Sequence, residues 1–142
     1  MIRRLLLALP LSLFALPASA ICPDHKMTLC EIVRDNEWVL RATGKSTQII
    51  KDEDDPDGVA GWLYTLKVGT DYRGKLLKNL AVLSANTTSR VVLKTGLEYF
   101  VFASRNALQL PETGNYCDEF TESGNTTGLE REIQDCIKNE VR

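Results

Sequence analysis

All four cysteines lie near the chain ends: Cys22 and Cys30 at the start, Cys117 and Cys136 toward the finish, with none between. An even number of cysteines in an oxidising compartment reads as a disulfide framework, and three pairings are open. Local pairing links Cys22 to Cys30 and Cys117 to Cys136. Long-range pairing ties the chain ends together across loops of about a hundred residues, each worth at most ~4–5 kcal/mol in the loop-entropy model. A zinc site is the competitor, but neither close pair has the short separation of structural zinc ligands, and His25 is the chain's single histidine.

The compartment follows from the N-terminus. A basic pair, Arg3 and Arg4, precedes an apolar run from Leu5 to Leu16 and the small-residue site Ala18-Ser19-Ala20, the pattern of a cleavable signal peptide over residues 1–20. The run is too short to span a bilayer, and Pro10 and Pro17 argue against a buried helix. Although Arg3-Arg4 suggests a twin-arginine signal, the apolar segment follows at once and disulfides form outside the cytoplasm, so the general secretory route fits better. Cleavage after Ala20 makes Ile21 the first mature residue; a lipid anchor on Cys22 would need a small residue in its place. The expected location is secreted or periplasmic.

The 122 residues that remain, 21–142, suffice for one domain with a real core, and no later apolar run is long enough for a membrane span. With Arg3 and Arg4 removed, 15 basic residues face 19 acidic ones, a formal charge of −4 that does not recommend nucleic acid as a partner. A monomer is expected.

Between the cysteine groups the chain reads as strands with turn punctuation. The clearest is Glu98-Tyr99-Phe100-Val101-Phe102-Ala103, led in by Gly96. Trp38 to Thr43 and Trp62 to Val68 are two more, separated by the polar stretch Lys51 to Gly58. Leu80 to Leu83 and Val91 to Leu93 complete five, which indicates an antiparallel barrel or sandwich. Near the C-terminus the period changes: Leu129, Ile133, Cys136 and Ile137 recur at helical spacing, and Thr127 with Glu130 reads as a capping box. Cys136 on the apolar face of that helix would staple it to the barrel, most simply through a cysteine near the N-terminus, which favours long-range pairing. The segment Pro23 to Val33 has room for a short helix with Met27, Cys30 and Val33 on one side.

In this order the motifs resemble the netrin-like module, whose best-known members are the tissue inhibitors of metalloproteinases. Cys22-Pro23 and Cys30 stand just after export cleavage, and Glu37 to Thr43 looks like the family's first barrel strand. Tyr64-Thr65-Leu66-Lys67-Val68 through Tyr72-Arg73-Gly74 is similar to its aromatic-rich strand, and Gly96 to Ala103 to its glycine-led strand. Cys117, and Cys136 in a terminal helix, fall where the family's later cysteines fall. The resemblance implies a five-stranded OB-like barrel and the pairings Cys22–Cys117 and Cys30–Cys136. Two departures concern function. The family's inhibitors begin with a cysteine whose amine and carbonyl chelate a protease zinc within a Cys-x-Cys-x-Pro start, whereas here the start is Ile21-Cys22-Pro23. Their third disulfide is missing too, because Thr87 to Val92 has no cysteine.

Other features invite sharper readings that the residues weaken. Gly44-Lys45-Ser46 suggests a phosphate-binding loop, but Val39 stands where the motif requires glycine. An EF-hand frame starting at Glu53 puts Tyr64 where a bidentate glutamate belongs, so the acidic stretch Asp52 to Gly58 reads as a solvated loop. A lone His25 beside Cys22 is a poor catalytic base, and neither an enzyme nor a cofactor is expected. The sequons Asn86-Thr87-Thr88 and Asn125-Thr126-Thr127 carry glycans only in a host with that machinery.

The leading expectation is a protein-binding module, in its sharpest form an inhibitor of an extracellular or periplasmic metalloprotease. Its binding ridge would be Ile21, Cys22, Pro23 and Asp24, with Thr87, Thr88 and Ser89 as the second contact. The alternatives are oligosaccharide binding on an OB-like face, with Trp62 and Tyr64 as stacking platforms, and a structural role in the envelope.

Overall fold

The computed structural model describes residues 27–55, 57–87, 90–114 and 127–140. Its elements are α1 (Leu29–Asp35), β1 (Trp38–Lys51), β2 (Val59–Asp71), β3 (Asn79–Ala85), β4 (Glu98–Arg105), β5 (Pro111–Thr113) and α2 (Thr127–Glu140). The strands close into a barrel in the order β1-β2-β3-β5-β4, with β4 returning to pair with β1. Pairing is antiparallel except between β3 and β5, which are parallel. This is the expected all-β, OB-like barrel with a terminal helix.

Period-2 alternation explains how one barrel carries two cores. Trp38, Leu40 and Ala42 of β1 point inward with Tyr64 and Leu66 of β2, Val82 of β3, and Tyr99, Val101 and Ala103 of β4. Residues of the opposite parity, Val39, Phe100 and Phe102, face outward and are covered by Leu29, Ile32 and Val33 of α1 and Ile133 and Cys136 of α2. Strands β1 and β4 are thus buried on both faces where they pair, which is why Tyr99-Phe100-Val101-Phe102-Ala103 is apolar without a break.

Two strand assignments are corrected. Val91–Leu93 is not a strand; Val91 and Leu93 are buried against the barrel interior from a connecting segment, while Val92 is exposed. The fifth strand is Pro111–Thr113, too short and too polar to stand out in the sequence. Strands β1 and β2 also run further than expected: their pairing continues from Ser46↔Thr65 to Lys51↔Val59, beyond the part of β1 that pairs with β4. Gly44 marks the departure point. A Cβ there would lie 2.5 Å from the Lys94 carbonyl oxygen, so only glycine lets the two backbones approach.

Helix α1 starts in a capping box: the Thr28 amide donates to the Glu31 carboxylate at 2.8 Å, and the Glu31 amide donates to Thr28 Oγ1 at 3.3 Å. Its buried face is Leu29, Ile32 and Val33, not Met27, Cys30 and Val33; Met27 packs only at the edge. Cys30 sits on the flank and bonds to Cys136 with a Cα–Cα distance of 5.1 Å across 106 residues, as the resemblance implies. On α2, Ile133 and Cys136 are buried, with Leu129 and Ile137 beside them. Thr127 is the first helical residue, and its side chain lies outside the described part. No helix among the described residues is long and apolar enough to cross a membrane.

Candidate functional site

Most of the expected ridge, Ile21, Cys22, Pro23, Asp24, Thr88 and Ser89, lies outside the described residues, as do Cys117 and His25. Thr87 is described and exposed. It follows β3 in a turn anchored to the start of β2, where the Asn86 amide donates to the Ala60 carbonyl at 2.9 Å and Asn86 Nδ2 to the Val59 carbonyl at 2.8 Å. Beside it is an open crater of about 290 Å³ lined by Ser84, Thr87, Arg90, Glu112 and Gly114. Arg90 stacks on the Trp62 ring, 4.9 Å from its centroid, and Ser84 Oγ donates to the Val91 carbonyl at 2.9 Å. The turn and the start of β2 therefore form a braced rim.

The proposed stacking platforms point elsewhere. Tyr64 is buried inside the barrel, where desolvation pushes its hydroxyl above the ordinary tyrosine value while the Leu93 backbone opposes the shift. Trp62 is half-buried against the same interior, beneath Arg90. Neither lines the outer face of β2 and β3, so the oligosaccharide reading loses its two aromatic residues.

That outer face holds something the sequence reading did not single out. Leu63 faces Leu83 across the β2–β3 ladder, and with Ile50, Leu108, Leu110 and Pro111 they line an apolar groove of about 440 Å³. The β4–β5 connection builds its far wall. Asn106 Oδ1 accepts from the Leu108 and Leu110 amides, each at 3.0 Å, and the Asn106 amide donates to the Leu110 carbonyl at 3.0 Å. Gln109 between the leucines takes φ 65°, a left-handed conformation uncommon for a non-glycine residue. The loop is thus fixed with Leu108 77% and Leu110 47% exposed. The sequence signal was Leu80-Ala81-Val82-Leu83, apolar at successive rather than alternate positions, which marks a strand with two apolar faces.

The remaining charge clusters brace the fold. Arg41 pairs with Glu98 at 3.1 Å and with Glu130 at 3.3 Å, linking β1 to β4 and α2. Burial, and then the Glu130 carboxylate, push the neighbouring Tyr72 hydroxyl well above its ordinary value. Among the described residues, no group of three His, Cys, Asp or Glu side chains is placed to hold a metal ion. Compared with family models and with curated proteins, the chain matches none.

Proposed function

We propose that this chain is an exported, non-catalytic protein-binding module of netrin-like type that works through Ile21 to Asp24, with the turn Asn86 to Ser89 as its second contact. In its sharpest form it inhibits a metalloprotease. The observation that carries the reading is the Cys30–Cys136 bond, because it leaves Cys22 and Cys117 as the remaining pair.

Chain reach then supports the location of the ridge. Gly114 lines the crater beside Thr87, and Cys117 stands three positions later in the sequence, a stretch whose fully extended length is roughly 10 Å. A Cys22–Cys117 disulfide adds roughly 6 Å between Cα atoms. The N-terminal segment would thus meet the barrel beside the braced turn. Fixed by Cys22 and Pro23, it loses little conformational freedom on entering a cleft, which is how a short ridge binds tightly.

The test is affinity capture with mature protein, from Ile21 onward, against extracellular or periplasmic extract, followed by mass spectrometry. The reading predicts a retained protein whose capture falls when Ile21 and Asp24 are replaced together and when Thr87→Arg is introduced. Capture unchanged by these replacements, or no capture at all, contradicts it.

A further inference from the structure

The apolar groove on the outer face of β2 and β3 shares no lining residue with the crater beside Thr87, and its surroundings specify what fits. Its floor strands run directly into the β1–β2 loop: Ile50 enters it and Ala60 leaves it. That loop carries Asp52, Glu53, Asp54, Asp55 and Asp57, and none makes an ion pair among the described residues. Asp52 and Asp55 instead accept the Asp54 and Asp57 amides at 3.0 and 3.1 Å, which shapes the loop and leaves its carboxylates without an ion-pair partner among the described residues. An aliphatic trough with a fixed wall therefore ends in a concentrated negative field.

From this geometry we infer that the groove binds an extended segment of a partner protein that presents two aliphatic side chains next to lysine or arginine. The aliphatic groups enter between Leu63, Leu83 and the prongs Leu108 and Leu110, removing apolar surface from water. The basic residues lie along Asp52 to Asp57, where attraction sets the direction of the segment and speeds its arrival. A second copy of this chain fits less well, since it would bring a second acidic loop toward the first. Nucleic acid is repelled by the same charges.

The probe is a fluorescein-labelled peptide with two leucines followed by three lysines, read by fluorescence anisotropy. One control replaces its lysines with glutamates, and another its leucines with serines. The leucine-lysine peptide is expected to bind, with both controls weaker by roughly tenfold or more. Leu108→Ser with Leu110→Ser should weaken binding by a similar factor. Both side chains are well exposed, so the fold should survive, as circular dichroism would verify. Asp54→Asn with Asp55→Asn should weaken it and flatten its dependence on salt. The inference is overturned by absence of binding, by equal binding of the glutamate peptide, or by binding insensitive to the leucine replacements. It is overturned equally if sedimentation shows self-association that Leu108→Ser abolishes, because the occupant would then be a second copy.

Discussion

Arg73 and Glu140, far apart in sequence, meet at 2.5 Å and join the β2–β3 connection to the last turn of α2. The same guanidinium donates to the Val33 and Asn36 carbonyls at the end of α1. One side chain thus satisfies carbonyls that a helix C-terminus leaves without partners and pairs with a carboxylate from the other helix. Arg73, within the triplet Tyr72-Arg73-Gly74 that carried part of the family resemblance, has a structural reason in this chain.

Arg73→Ala should cost about 1–3 kcal/mol, because part-buried carbonyls and a carboxylate lose their donor. Arg73→Lys should recover only part of this, since a point charge cannot serve several acceptors in the same fork geometry. Urea unfolding of the three proteins checks both statements.

Removing the disulfide with Cys136→Ser should destabilise the fold by roughly 2–5 kcal/mol. Cys30→Ser should cost a similar amount, and the double replacement little more than either single one, because all three lose the same bond. Thermal unfolding of the variants, with a free-thiol assay of the single ones, measures this.

Acid should weaken one mouth of the barrel. Glu37 accepts from Lys75 at 2.6 Å and from Arg105 at 2.8 Å, and the two cations lie 4.8 and 4.9 Å from the centroid of the Trp38 ring. The Arg105 hydrogen bond, then that from Lys75, hold the Glu37 carboxyl below its ordinary value. Its folded-state value being lowered, the stabilisation is present above the unfolded value, about 4.3, and is lost as pH falls through the folded one. Glu37→Gln should be less stable than the parent at pH 7, and the gap should narrow below about pH 4. Denaturant midpoints at pH 7 and pH 3 give the comparison.

The segment that reads as a strand but is not one should still matter for stability. Leu93 is buried in the barrel interior, and the next amide, Lys94 N–H, donates to the Tyr99 hydroxyl at 2.9 Å. Leu93→Ala should cost about 2–5 kcal/mol as a buried cavity, and Tyr99→Phe about 0.5–1.5 kcal/mol. Leu93→Lys should prevent folding, whereas Val92→Lys, at an exposed neighbour, should be tolerated.

The sequence was legible where periodicity and burial agree. Tyr99 to Ala103 predicted β4 because both its faces are buried, and the Leu129-Ile133-Cys136-Ile137 face predicted α2 because it serves one buried surface. Val91–Leu93 misled because an apolar pair flanking an exposed residue looks the same in a strand and in a loop laid across a barrel mouth. Pro111–Thr113 carried no signal, since three residues cannot show a period. Trp62 and Tyr64 were suited to stacking in kind, but the parity that β2 shares with Leu66 turns them inward. The groove escaped notice because Leu108 and Leu110 come to β2 and β3 through tertiary structure, by way of a loop whose shape depends on Asn106.

The central claim is that the N-terminal segment is fastened to the barrel beside Thr87. It is tested most directly by mass spectrometry of the unreduced, protease-digested mature protein. The account predicts an N-terminal residue of Ile21 and two linked pairs, Cys22–Cys117 and Cys30–Cys136. A free Cys22, a bond between Cys22 and any other partner, or a mature chain that does not begin at Ile21 would contradict it.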